Sequence, residues 1–93
     1  MNKSDLTKAL ADEYKLPLRK CEEIVDKVFD TMAKALISGG RIEIRGFGSF
    51  TVKHYEGYEG RNPKTGDAID VESKYLPFFK PGKELRELVN DDE

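Results

Sequence analysis

Ninety-three residues make one domain, with sixteen basic residues against eighteen acidic ones, a net charge of −2, one Cys and one His. Cys21 alone forms no intrachain disulfide and, even with His54, makes no structural zinc site, so neither a crosslink nor a metal is expected. The charge balance excludes partner recognition by a general basic surplus. With no signal peptide or long apolar run, the chain is expected to be soluble and intracellular, without a membrane partner.

Asn2 is a good helix N-cap, and Asp5 stands three residues on in the capping-box position. Leu6, Ala9, Leu10 and Tyr14 follow at spacings of three and four, an apolar stripe that Lys15-Leu16-Pro17 interrupts. A second helix is predicted from about Leu18 to Ser38, carrying Leu18, Cys21, Ile24, Val25, Val28, Phe29, Met32, Leu36 and Ile37. Cys21, inside that pattern, reads as a buried structural thiol. Gly39-Gly40 ends the helix, because glycine takes a left-handed C-cap without steric cost. Residues 1–40 therefore predict a helical hairpin.

Residues 41–76 predict a three-stranded antiparallel sheet that runs out into a long hairpin arm at about 53–74. Arg41, Glu43 and Arg45 alternate with Ile42 and Ile44, giving one wet and one dry face. Gly46 and Gly48 break the run, and Phe47, Phe50, Phe78 and Phe79 flank the base of the arm as expected core aromatics. The turn Gly57-Tyr58-Glu59-Gly60-Arg61-Asn62-Pro63-Lys64-Thr65-Gly66 carries the residue types that accept positive φ or stop a ladder. At about 3.3 Å per residue, ten residues from Lys53 to Pro63 reach roughly 33 Å. Tyr55, Tyr58, Ala68, Ile69 and Val71 are its few apolar side chains, and an isolated ribbon is marginal in water, so the arm is expected to order on a partner.

Residues 77–93 finish the returning strand and add a helix from Lys83 to about Asn90. That helix is expected to bury Leu85, Leu88 and Val89 ahead of the acidic tail Asp91-Asp92-Glu93. Without the arm, the chain is small for a self-sufficient core. The broad stripe of the second helix, the dry sheet face and the Phe side chains exceed what one protomer covers. An intertwined two-fold homodimer closes such a core, with Phe29, Met32, Ile44, Phe47, Phe50 and Phe79 at its centre. The fold class is α+β.

Gly46-Phe47-Gly48-Ser49-Phe50, Gly60-Arg61-Asn62-Pro63-Lys64-Thr65-Gly66 and Phe79-Lys80-Pro81-Gly82-Lys83 resemble the signatures of the bacterial HU/IHF (histone-like, DNABII) family of DNA-bending proteins. The resemblance runs from Met1 to about Asn90, and Gly60–Gly66 is its most specific segment. It implies a helical base, a β-saddle and two arms that enter the minor groove of double-stranded DNA. It also implies Pro63 as a wedge between base steps; insertion of this kind is the family's known mode and is carried over here. By itself Pro63 reads as an ordinary turn proline.

Arg61 and Lys64 flank it as phosphate or groove contacts, and Asn62 has donors suited to minor-groove acceptors shared by both A·T orientations. Tyr55, Tyr58 and Lys74 stand on the arm, and Lys3, Lys53, Lys80, Lys83 and Arg86 are candidate phosphate contacts on the body. The implied protein bends and condenses DNA in the nucleoid and cytoplasm with little sequence preference, and favours kinked or nicked sites. It needs no cofactor, metal or small-molecule substrate.

Departures from the family pattern lie in the arm. Tyr55 and Tyr58 stand where arginines are usual, beside Glu56 and Glu59, and Asp67, Asp70 and Glu72 load the returning strand. A second reading is a scaffold of the same fold whose acidic arms bind a basic protein. Enzymatic function has no foothold, for no nucleophile–base pair can be assembled from one His and one Cys.

Overall fold

Helix α1 (Lys3–Tyr14) starts where its capping box closes: the Asn2 side chain accepts from the Asp5 amide at 2.9 Å, and the Asp5 carboxylate accepts from the Asn2 amide at 3.0 Å. The computed structural model describes residues 1–90, so the predicted acidic tail Asp91-Asp92-Glu93 lies outside the described residues. Helix α2 (Leu18–Ile37) begins directly after Pro17 and packs on α1. Thr7, Cys21 and Val25 are the buried residues of this helical pair, so Cys21 is the buried thiol expected.

Three strands then form an antiparallel sheet in the order β1 (Ile42–Ile44), β2 (Gly48–Tyr55) and β5 (Lys74–Pro81). The register sets Phe50 opposite Phe79, Val52 opposite Pro77 and Ile42 opposite Phe50. Successive residues of a strand face opposite sides, so these share one face. That face meets α2, since Val52, Tyr75 and Pro77 line a cleft together with Ala33, Leu36 and Ile37. Phe79 packs against Phe47 at 5.5 Å and Phe50 at 4.8 Å between ring centroids. Phe78 departs from the expected aromatic core. One residue out of step, it stands on the opposite face beside Thr51, where the Lys53 ammonium lies 3.6 Å from its ring centroid.

The arm also differs from the single hairpin expected. The β2–β5 ladder ends at Tyr55 and Lys74, and a separate ladder of β3 (Tyr58–Arg61) and β4 (Ala68–Val71) carries the tip. The break falls at Gly57. A Cβ there would come within 2.5 Å of the Val71 carbonyl oxygen and 2.9 Å of the Ser73 amide, a closeness that only glycine permits.

Helix α3 (Lys83–Val89) closes the described chain. Leu85 is half-buried, whereas Leu88 and Val89, expected to be buried, are 70% and 74% exposed on the protomer. Met32 and Phe50 are half-buried, and Phe29, Ile44, Phe47 and Phe79 are exposed. The protomer exposes 8136 Å², against about 5,500 Å² for a compact monomer of this mass. Its radius of gyration is 19.5 Å, against about 12 Å for a compact chain of this length. One protomer lacks a self-contained core.

Candidate nucleic-acid interface

At the tip, Asn62 organises the chain reversal. Its amide donates to the Asp67 carbonyl at 2.8 Å, and its carbonyl accepts from the Gly66 amide at 2.7 Å. Its side-chain oxygen accepts from the Lys64 amide at 2.8 Å and from the Thr65 amide at 3.4 Å. Gly66 takes φ +77°, a left-handed conformation that few other residues adopt cheaply. Arg61 Nη1 donates to the Gly66 carbonyl at 2.9 Å. Pro63 and Lys64 are thereby left exposed at the end of the arm. Arg61 and Asn62, expected to contact a ligand, each spend hydrogen-bonding capacity on the turn.

Below the tip, the β3–β4 register pairs Tyr58 with Val71, Glu59 with Asp70, Gly60 with Ile69 and Arg61 with Ala68. One face of this ribbon therefore carries Tyr58, Ile69 and Val71, and the other carries Glu59, Asp70 and Arg61. Two carboxylates directly opposite one another repel across the ladder. The ring of Tyr58 lies over Gly60, where a Cβ would come within 3.3 Å of it.

On the sheet, alternation gathers the expected contacts. Ser49 faces Lys80, Lys53 faces Leu76 and Tyr55 faces Lys74, so Lys53, Tyr55, Lys74 and Lys80 share the face away from α2. At its far end a groove of about 660 Å³ brings Lys80, Lys83 and Arg86 together with Arg41 and Arg45, with Glu43 its one acidic lining residue among the described residues. Arg41 is tied to Glu43 at 2.9 Å. Alternation in the sequence marks Arg41 and Arg45 only as wet-face residues. What joins them to Lys83 and Arg86 is the pairing of β1 with β2 and of β2 with β5, which no local pattern reports.

Lys3 stands apart from this groove and is paired with Asp26 at 2.8 Å. Both side chains are well exposed, so the pair contributes little stability and water and salt compete for it. Among the described residues no group of three His, Cys, Asp or Glu side chains is placed to hold a metal ion, and no helix is long and apolar enough to cross a membrane. Chemically, the assembled surface offers cationic and aromatic side chains on a shallow face, and a rigid apolar ring at the end of a thin ribbon. That combination suits a long polyanion.

A model of the family described as bacterial DNA-binding protein matches residues 1–90. Integration host factor subunit beta of Vibrio parahaemolyticus is 53% identical over 91 residues, covering 97% of this chain and 98% of the relative. The protein of the same name from Marinobacter nauticus is 49% identical over 92 residues, covering 98% and 94%. Among solved structures, a chain of an Anabaena HU–DNA cocrystal matches with a TM-score of 0.82 at 32% identity, covering 96% of this chain and 97% of that one. HU from Thermotoga maritima matches with a TM-score of 0.67 at 30% identity, covering 96% and 98%.

Proposed function

The chain belongs to the bacterial DNA-binding protein family of HU and integration host factor, and from that we propose that it is a non-catalytic architectural protein of the nucleoid that bends double-stranded DNA as a dimer. Chief support comes from the register that puts Lys53, Tyr55, Lys74 and Lys80 on one sheet face, leading to a tip that exposes Pro63 and Lys64. DNA lies along that face. Lys80, Lys83, Arg86, Arg41 and Arg45 neutralise phosphates at its edge, and Lys3 joins them when it leaves Asp26. Each arm follows the minor groove, and Pro63 enters between two base steps at a cost of a few kcal/mol in unstacking. DNA already kinked, nicked or gapped has met part of that cost and is preferred.

Few side chains are free to read base edges, so sequence preference is slight. The minor groove itself shows a degenerate pattern. The dimer follows from the exposed Phe29, Phe47 and Phe79 and the half-buried Met32 and Phe50, which a second chain of the same fold covers. That second chain is a copy of this one. The name "subunit beta" carried by the relatives makes an unlike chain of the same fold the other occupant.

One observation favours the scaffold reading: Glu59 and Asp70 stand opposite each other on the outer ribbon, which weakens attraction to phosphate. A gel-shift titration on straight, nicked and pre-kinked duplexes at two salt concentrations separates the readings. An architectural protein binds all three, prefers the nicked and kinked ones, and loses affinity with log salt at about −0.9 per phosphate neutralised. An intact dimer that shifts none of them at low salt is a scaffold.

A further inference from the structure

The tip is closed by hydrogen bonds within its own loop. We propose that Asn62 is a positioning residue: its side-chain carbonyl, locked onto the Lys64 and Thr65 amides, holds Pro63 at the apex, and it does not read bases. The inference rests on the wedge role given to Pro63 above and adds how the wedge is held.

Asn62 closes the loop with three of its own groups. Its amide and carbonyl bond Asp67 and Gly66 at 2.8 and 2.7 Å, and its Oδ1 takes the Lys64 amide at 2.8 Å and the Thr65 amide at 3.4 Å. A short polar side chain accepting from the backbone two residues on is the Asx-turn arrangement, which stabilises a reversal locally. Pro63 sits between the acceptor and its first donor. The bond from Asn62 to Lys64 therefore spans the proline and sets the direction in which its ring leaves the ribbon.

Two neighbours support the same loop. Arg61 Nη1 caps the Gly66 carbonyl at 2.9 Å, and Thr65 Oγ1 accepts from the Asp67 amide at 3.3 Å. These bonds lie in a loop with no packed core beneath it, since Pro63, Lys64, Thr65 and Gly66 are all exposed. Hydrogen bonds, not apolar packing, fix its shape. A wedge fixed in its bound conformation loses less conformational freedom on insertion, which raises affinity for the unstacked step. The motif residues beside Pro63 are in this way partly consumed by the protein itself.

Two substitutions separate positioning from base contact. Asn62→Asp keeps an Oδ acceptor for Lys64 and Thr65 and removes the side-chain donors. Asn62→Ala removes the acceptor as well. Bend angle by end-to-end FRET, and the ratio of affinities for kinked and straight duplex, are measured for both against wild type. The added carboxylate of Asn62→Asp weakens binding to every duplex alike, so the ratio cancels it. A positioning residue predicts that Asn62→Asp keeps the wild-type ratio and bend, while Asn62→Ala loses most of both.

Amide NMR on the free dimer follows the turn independently. The Lys64 amide resonance should stay close to wild type in Asn62→Asp and move in Asn62→Ala, while Tyr58 and Ile69 report that the β3–β4 ladder is intact. If Asn62→Asp loses the ratio as fully as Asn62→Ala with the ladder intact, Asn62 acts through its donors on DNA and the proposal fails. Pro63→Ala serves as the control for the underlying reading: should it keep full bending, the wedge role itself is wrong, whatever Asn62 does.

Discussion

The base and the outer arm are both incomplete in the protomer, in opposite ways. The base is rich in apolar side chains that nothing covers: Phe29 and Phe47 are each 44% exposed and Ile37 is 84% exposed. The outer arm has little to bury, a pair of four-residue strands with Tyr58, Ile69 and Val71 on one face. Its tip is nevertheless closed by a hydrogen bond that Asn62 Oδ1 accepts from the Lys64 amide and one that Arg61 donates to the Gly66 carbonyl. A surplus of apolar surface is satisfied by any complementary apolar surface, and in the proposed dimer a second chain of the same fold supplies it. A polar ribbon with a closed tip gains nothing from that. It holds a shape through its own hydrogen bonds.

The largest effect is expected at the base. Phe79→Ala removes the ring that packs on both Phe47 and Phe50, a loss of about 3–5 kcal/mol for a large aromatic in a core. Thermal unfolding followed at several protein concentrations should show a large fall in midpoint. Sedimentation equilibrium should show wild type at twice the chain mass and the variant shifting toward monomer. Wild type running as a cooperatively folded monomer would end the claim that the base needs a partner.

At the arm the effect is smaller and of another kind. Pro63→Ala should leave dimer mass and unfolding midpoint unchanged, because Pro63 is exposed at the end of the arm. Bending should fall, and with it the preference for nicked DNA, a difference worth a few kcal/mol per step. The salt slope should hardly move, since Lys64 and the body cations remain. A variant that bends as strongly as wild type leaves the arm as a phosphate clamp.

The smallest change sharpens the contrast within the arm. Glu59→Gln removes one of two carboxylates facing each other across the outer ladder, and relief of like charges there is worth about 0.2–1 kcal/mol. Hydrogen exchange of the β3 and β4 amides should slow, and affinity for all duplexes should rise a few-fold at low salt. Slower exchange with unchanged affinity would mean that Glu59 points away from the phosphates.

Much of this architecture was legible along the chain because it rests on short-range physics. Asn2 and Asp5 declare a helix start through bonds three residues apart, and α2 ends within a residue of where Gly39-Gly40 puts it. The alternation of Arg41, Ile42, Glu43, Ile44 and Arg45 is the pleat itself. The tip could be located but its internal bonds could not, since Arg61 and Asn62 have side chains equally able to face DNA or the turn.

Tertiary pairing decided the remainder. Phe78 and Phe79 look alike in sequence, yet the β2–β5 register sends Phe79 against Phe47 and Phe50 and Phe78 under Lys53. The arm divides at Gly57 because the Val71 carbonyl approaches from a strand more than ten residues away. Arg45 and Arg86 meet in one groove only because β5 returns beside β2 and brings the start of α3 to the turn between β1 and β2, where the Gly82 amide donates to the Phe47 carbonyl at 2.9 Å. Sequence periodicity reports which side of its own element a residue occupies, since that depends on bonds a few residues long. Which distant residues share that side is decided by register, a property of two strands at once.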